Sequence, residues 1–503
     1  MSQSQGSHNP TSSRQKPSIV FGDKDNRQSS LISVFLRSAR YEGRFLLHNS
    51  WDYVMLLWLP LLTILGTWWI FSKPYIVDVP IGVIDDSKSS YSRTLTRFLD
   101  TSPDLKVEQI FQNSADAQAA ILDQQVYAVV IIPHDFSEQL NKGKPAPVVL
   151  KVNAQYGTHS GIVQKGVQTV VGTLSAGAEM KRLVKQGAHS EQAKVSYSPI
   201  GIERISLFNI GANYQQFLAS TVIPALLHIL AMVIGATTIG REIRDKTFSI
   251  WYHTMIYPDM PYPDFKTLKH VPPEQKLAAL HANLHPSWQM PVDYQSLKQQ
   301  TYRKDNQLTT TAFSLKDANY RYRLNLNKSA KPRMPTKVSI LALVVGLNGK
   351  LIWALLFYML WGGLMVMLAV TVHPASLTAM LMVFVAFVAL MMVSLWLGAI
   401  FTLTSYSLRM GLSSTGFVSA PSFAFAGVTF PLMAMSEGAQ RWANALPLTH
   451  YLKVHLSQLQ MLAPTSVALP TLIGLIIAVA VTLVIAALLC LRAFKNPQRW
   501  GAR

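Results

Sequence analysis

The hydrophobic positions of this chain fall into long unbroken runs rather than the spaced stripes of a soluble fold. Six runs can cross about 30 Å of hydrocarbon, which takes roughly 20 helical residues. They are Tyr53–Phe71, Phe217–Gly240, Leu351–Val372, Leu377–Thr402, Met410–Met435 and Val467–Leu491. None carries Lys, Arg, Asp or Glu in its interior, and one such charge at mid-bilayer costs about 2.5–3.5 kcal/mol on insertion scales. Val338–Gly349 is apolar too but is too short to span. It reads as an interfacial or re-entrant lead-in that ends at Lys350.

Polar segments separate these runs. Residues 72–216 alternate strand-like and helix-like patterns: strands at Val79–Ile84, Leu105–Phe111, Tyr127–Ile132 and Val148–Asn153, with helices at Ser89–Leu99, Ala115–Gln125 and Phe136–Asn141. Such alternation predicts a small α/β domain. Gly161–Gln186 follows as one long helix, and Pro199 and Gly201 break the path to the second span. Residues 254–337 are proline-rich between Pro258 and Pro273 and carry thirteen Lys/Arg against six Asp/Glu from Met255 to Lys337. That composition predicts an inserted, partly ordered cytoplasmic loop, and residues 1–30 read as a disordered cytoplasmic tail on the same grounds. Within residues 31–50, Leu31, Val34, Phe35, Ala39, Phe45 and Leu46 form an apolar stripe, with Arg37, Arg40 and Arg44 elsewhere. An amphipathic helix of this kind lies in the headgroup plane; the alternative is a helix packed on another cytoplasmic element. The expected fold is a polytopic α-helical membrane protein with six transmembrane helices, an external α/β domain and an amphipathic N-terminal elbow helix. Its parts are the first helix at 51–71, the second at 217–240, helices three to six within 338–491, and a tail at 492–503.

Composition agrees. Half of the 503 residues are hydrophobic and 14% are charged, against about 25% in a globular chain, and the mean hydropathy is +0.22. The formal net charge of +19 would suit nucleic acid, but its placement explains it otherwise. Arg37, Arg40 and Arg44 precede the first span, Arg241, Arg244 and Lys246 follow the second, Arg409 lies between the fourth and fifth, and Arg492, Lys495, Arg499 and Arg503 follow the sixth. The loop around His373–Ser376 has no charge. The positive-inside rule then puts both termini in the cytoplasm and leaves no need for a nucleic-acid partner. The single cysteine, Cys490, permits no disulfide within the chain.

No nucleotide or catalytic motif accompanies this architecture. GxxxxGK[ST], HExxH, CxxC and GxSxG are all missing from the sequence, so no enzymatic activity is expected. His281 and His285 have helical i,i+4 spacing but no acidic neighbour in a basic segment, so no metal site is read there. His228 in the second span is either a functional polar group or a hydrogen-bond partner of a neighbouring helix. The spans show no buried acid for proton coupling, so energy must come from outside the bilayer. The second span runs out into residues 241–253, whose mixed charges and aromatic tip would dock into a groove of a soluble partner, or be the ordinary charged end of a membrane helix.

Several segments together resemble the permeases of type-2 ABC exporters, in the branch with a large periplasmic domain between spans one and two. They are the elbow Leu31–Leu47, the opening strand Pro80–Ser87, Tyr127–Phe136 (YAVVIIPHDF), Leu207–Asn209, Gly240–Thr247, Gly349–Lys350, Phe423–Pro431 (FAFAGVTFP) and Ala445–Tyr451 (ALPLTHY). The resemblance implies a multi-pass subunit of a bacterial inner membrane that moves substrate outward. It implies a separate ATP-binding cassette subunit that holds the ATP, and a second permease subunit, identical or sister. It implies a coupling site at Arg241, Glu242, Arg244, Asp245, Thr247 and Trp251, an exit gate at Phe423, Gly427, Phe430 and Pro431, and a periplasmic adaptor or substrate on the external domain. The chain departs from the family in lacking its coupling glycine and in carrying the insertion 254–337. The alternative is a membrane-anchored receptor or scaffold that binds through its external domain without transport.

Overall fold

The computed structural model describes residues 30–72, 76–142, 144–185, 208, 213–258, 262–268 and 338–501. The expected tail at 1–30 (apart from Ser30), the break at Pro199 and Gly201, His281 and His285, and most of the insertion lie outside the described residues.

Apolar residues build a bundle of helices. Among the described residues, five helices are long and apolar enough to cross a membrane: Ser50–Ile70, Gln215–Arg244, Ile340–Val372, Leu377–Ser405 and Thr465–Lys495. The first is made of α2 (Ser50–Leu56) and α3 (Trp58–Ile70), with Leu57 between them. Pro60 accounts for that seam, because its ring lacks an amide hydrogen and crowds the carbonyl four residues back.

Between the first two of these helices sits the α/β unit. Strands β1 (Val79–Asp85), β2 (Leu105–Ile110), β3 (Ala128–Ile132) and β4 (Val149–Val152) form one sheet in the order β2-β1-β3-β4. β1 is parallel to β2 and β3, and β4 is antiparallel to β3. Val79, Ile81, Val83 and Val130 share a core with Leu95 and Leu99 of α4 (Ser90–Asp100), Phe136 of α6 (Phe136–Asn141) and Val163 and Val167 of α7 (Gly157–Lys185). The opposite face, with Ile84 and Val129, is covered by Ala117 and Ala120 of α5 (Ser114–Leu122). Ser89 starts α4 through a reciprocal capping box with Ser92.

In the bundle, a π-turn at Gln215–Ala219 leads into α8 (Ser220–Arg244), followed by α9 (Phe248–Ile256) and α10 (Phe265–Leu268). α11 (Ile340–Val372) and α12 (Leu377–Ser405) are continuous. The lead-in expected to end at Lys350 is therefore part of one 33-residue helix. Its charge does not interrupt the helix because two carboxylates neutralise it, as described below. α8 and α12 touch backbone to backbone: a Cβ added at Gly235 would lie 2.0 Å from the Leu395 carbonyl oxygen, and one at Gly398 2.0 Å from that of Met232. Small residues at a membrane-helix interface permit such closeness.

Met410–Met435, expected as a fifth continuous span, is broken. α13 (Leu408–Ser419) stops before Pro421, and α14 (Ser422–Phe425) is a single turn. The chain then turns at Gly427 and Pro431 and forms α15 (Glu437–Ala445) and α16 (Pro447–His455) before α17 (Thr465–Lys495). Twelve residues of α13 rise only about 18 Å. Even so, the chain changes ends here. The Tyr406 carbonyl accepts from the Gly501 amide, and Phe494 stacks on Phe248, both at the Arg244 end of α8. Gln460 Nε2 donates to the Gln216 carbonyl at 2.8 Å, at the other end.

Candidate functional site

The site grows from α1 (Leu31–His48), which Ser30 caps through its side chain. Val34, Ser38, Ala39, Tyr41 and Glu42 are buried, so α1 packs on other helices rather than lying wholly in a lipid headgroup layer. Of the expected apolar stripe, Val34 and Ala39 face inward, while Leu31 is exposed beside Ile32, Leu36 and Leu47. Glycines on α11 let α1 approach: a Cβ at Gly349 would meet the Phe35 carbonyl oxygen at 2.5 Å. Ser38 donates to the Gly346 carbonyl at 2.6 Å, and Trp353 Nε1 donates to the Ala39 carbonyl at 2.8 Å.

This approach brings four charges together out of solvent. Lys350 Nζ lies 3.0 Å from Glu42 Oε2 and 2.8 Å from Glu242 Oε1. Arg241 pairs with Glu42. Side-chain exposure is 0% for Lys350, 3% for each glutamate and 8% for Arg241. Two acids and two bases leave the cluster neutral, as a low-dielectric site requires. Thr247 Oγ1 donates to Glu242 Oε2, and the Tyr41 hydroxyl donates to the same oxygen at 3.3 Å. Burial and then the Glu242 charge push the Tyr41 pKa well above the ordinary tyrosine range, which keeps this donor protonated. Aromatic faces close the cluster: Arg241 lies 3.5 Å from the Phe45 centroid, and Lys350 lies 4.6 Å from Tyr41 and 5.5 Å from Trp251. Trp251 Nε1 donates to Ser38 at 2.9 Å. Four helices, α1, α8, α9 and α11, are thereby tied at one point.

The residues expected to couple to a partner thus divide. Arg241, Glu242, Asp245, Thr247 and Trp251 are buried within the chain, and only Arg244 is exposed, with Lys246 beside it. The turn carrying them is a Schellman motif: the Thr247 amide donates to the Glu242 carbonyl and the Lys246 amide to that of Ile243. Lys246 takes the left-handed conformation, φ 58°, that glycine usually fills there. The four residues expected at an exit gate lie together at the broken helix. Phe423 packs on the bundle core, Gly427 has φ +81°, and Phe430 and Pro431 are exposed. His228 is buried with Nδ1 2.6 Å from Ser394 Oγ, the helix-to-helix hydrogen bond that was one of its two readings.

Sequence reasoning missed Glu42 and Lys350. The signal was there: Lys350 is the one charged residue between Lys337 and Arg409, and Glu42 the one acid in α1. A solitary intramembrane lysine calls for an acid from another segment.

Residues 51–254 match the family described as ABC-2 family transporter protein. That stretch is similar to the membrane part of ABC-2 transporters. It holds the first two candidate spans, the α/β unit and the turn at Lys246, and the match supports a permease role in an ABC transporter. No curated protein matches the chain. Arg241, Glu242 and Thr247 fall inside the matched stretch, while Glu42 and Lys350 come from outside it.

Proposed function

We propose that this permease is the membrane half of an ATP-driven exporter. It crosses the inner membrane six times with both termini cytoplasmic, carries its α/β domain outside, and moves substrate outward. The broken segment α13–α14 makes the sixth crossing, since Tyr406 and Gln460 lie at opposite ends of the bundle. ATP binding and hydrolysis belong to a separate cassette subunit, and a second permease subunit completes the membrane pair. The observation that carries this reading is the buried cluster behind the Arg244–Lys246 turn. A cassette subunit that contacts Arg244 and Lys246 would move α9, and the cluster would pass that motion to α1 and α11 together. Phe423, Gly427, Phe430 and Pro431 would shape the exit, and the external domain would receive an adaptor or the substrate.

The test is co-purification of the tagged chain from its native host in nanodiscs, with mass spectrometry of associated proteins. The expected result is a stoichiometric soluble protein bearing a Walker A motif, whose ATPase rate changes on assembly. Replacing Arg244 and Lys246 by Glu should abolish that assembly. If no Walker A protein associates with the unaltered chain, the exporter reading fails.

A further inference from the structure

Residues 254–337, read from the sequence as an insertion, begin where the family match ends. The first part of that insertion lies on the charge cluster. Tyr262 sits under two arginines two turns apart on α1, Arg37 at 5.1 Å and Arg44 at 4.2 Å from its ring centroid. Pro263 is buried. Phe265 meets Tyr41 edge-on at 5.2 Å and Phe45 at 5.6 Å. Both of those rings touch the cluster, Tyr41 through its bond to Glu242 and Phe45 beneath Arg241. Phe265 is therefore one aromatic ring removed from both ends of the charge network. The same face of α1 is held at its other edge, where Arg37 Nε donates to the Thr254 carbonyl at 2.7 Å.

These contacts are suited to being made and broken. They are aromatic–aromatic and cation–π contacts, each modest on its own. The Tyr262 hydroxyl is buried without a hydrogen-bond partner among the described residues, and such a group is better satisfied in water than in place. Tyr262 thus combines a favourable ring with an unfavourable hydroxyl, which brings the bound and released states closer in free energy.

We propose that residues 262–268 are a strap by which the insertion holds α1 against the charge cluster, so that the insertion regulates coupling from within the same chain. The regulatory consequence rests on the coupling role proposed above; the clamp itself does not. While the strap is seated, α1 cannot move away from α8 without uncovering Arg241. When it lifts, Phe45 and Tyr41 lose their cover and α1 is free to follow α9.

Hydrogen exchange of the full chain in nanodiscs tests the clamp without any partner. Replacing Tyr262 and Phe265 together by Ala should speed exchange across residues 34–46 by about tenfold or more, with residues 386–399 of α12 unchanged. Tyr262→Phe, which removes only the unpartnered hydroxyl, should leave α1 protected as well as before or better. Unaltered exchange of α1 in the double variant would overturn the proposal. So would equal acceleration of α12, which would make the two rings ordinary contributors to the fold. With the cassette subunit present, the double variant should change the transport-linked ATPase rate. A loosened α1 with an unchanged rate would keep the clamp and overturn its regulatory role. Loss of the exporter reading itself would appear separately, as no associated cassette subunit in the unaltered chain.

Discussion

In the α/β unit the ion pairs stand in the open, whereas the charge cluster at the Arg244 end of the bundle is shut away. Lys106 and Glu108 meet at 2.9 Å with side chains 55% and 45% exposed, and Arg182 and Glu179 at 2.5 Å with 41% and 32%. At the Arg244 end of the bundle, Glu42, Arg241, Glu242 and Lys350 meet at similar distances with at most 8% exposed. Water screens the first kind, so each surface pair adds little to stability. The second kind is unscreened, and its energy depends on every member being present. Apolar packing alone would serve the fold as well or better. Charges kept buried at the meeting of four helices therefore suit a junction that has to stay in register while it moves.

The largest expected effect follows from removing one member. Lys350→Ala leaves two buried carboxylates facing Arg241 alone and should cost about 3–5 kcal/mol. Thermal unfolding in nanodiscs and exchange of α1 amides both read this loss. The comparison sharpens when charge balance is restored. Combining Glu42→Gln with Lys350→Met leaves Arg241 opposite Glu242 and should recover more than half of that stability. Stimulation of the cassette subunit's ATPase should not return with it. If stability and stimulation recover together, the cluster is structural only.

Second in size is the α8–α12 contact, where the bundle relies on backbone proximity instead of charge. Gly235→Ala places a methyl group 2.0 Å from the Leu395 carbonyl oxygen, and helix backbones cannot yield as a side chain can. Overpacking of this kind costs about 1–3 kcal/mol. Exchange in α8 and α12 should rise while β1 and β3 of the α/β unit stay protected. A variant as stable as the parent would mean the two helices separate freely at this crossing.

Third, and opposite in sign, is Lys246→Gly. A non-glycine residue at φ 58° carries a steric cost of about 1 kcal/mol that glycine avoids. The substitution should raise the stability of the α8–α9 turn by about that amount, read as slower exchange of the Thr247 and Trp251 amides. It also removes one of the two exposed cations proposed to face the cassette subunit. Tighter local structure with weaker assembly is the expected pair of outcomes.

These two regions were also unequally legible in the sequence. Strands and helices of the α/β unit fall where alternation and turn residues put them, because Val79–Asp85 and Ala128–Ile132 are short apolar runs between clear breakers. Apolar runs marked most of the bundle helices for the same local reason. Two things escaped. Residues 410–435 are uncharged and mostly apolar, and hydropathy does not register that Pro421 and Gly427 divide them. The charge cluster joins residues 308 positions apart, and no local pattern reports such a pairing. The charges of residues 241–253 left a docking element and an ordinary helix end both open, and only the resemblance implied a coupling site; which of those charges turn inward depended on Glu42 and Lys350.

The smallest expected effect tests the exposed side of the comparison. Glu108 raises the Lys106 pKa, chiefly through their hydrogen bond, but both side chains remain in solvent. Glu108→Gln should therefore bring Lys106 back toward its ordinary value without measurable change in exchange protection of β1 or β3. The pair lies on β2, one of the two edge strands of the sheet, where an exposed lysine also discourages pairing with another chain's strand. Lys106→Val should thus leave the fold intact but promote self-association of the chain in nanodiscs, measured as mass by light scattering. An edge that stays monodisperse with valine there would show that other groups guard it. Among those groups, Asp100 is the first to examine, because its Oδ1 already accepts the Val107 amide of the same strand at 3.1 Å.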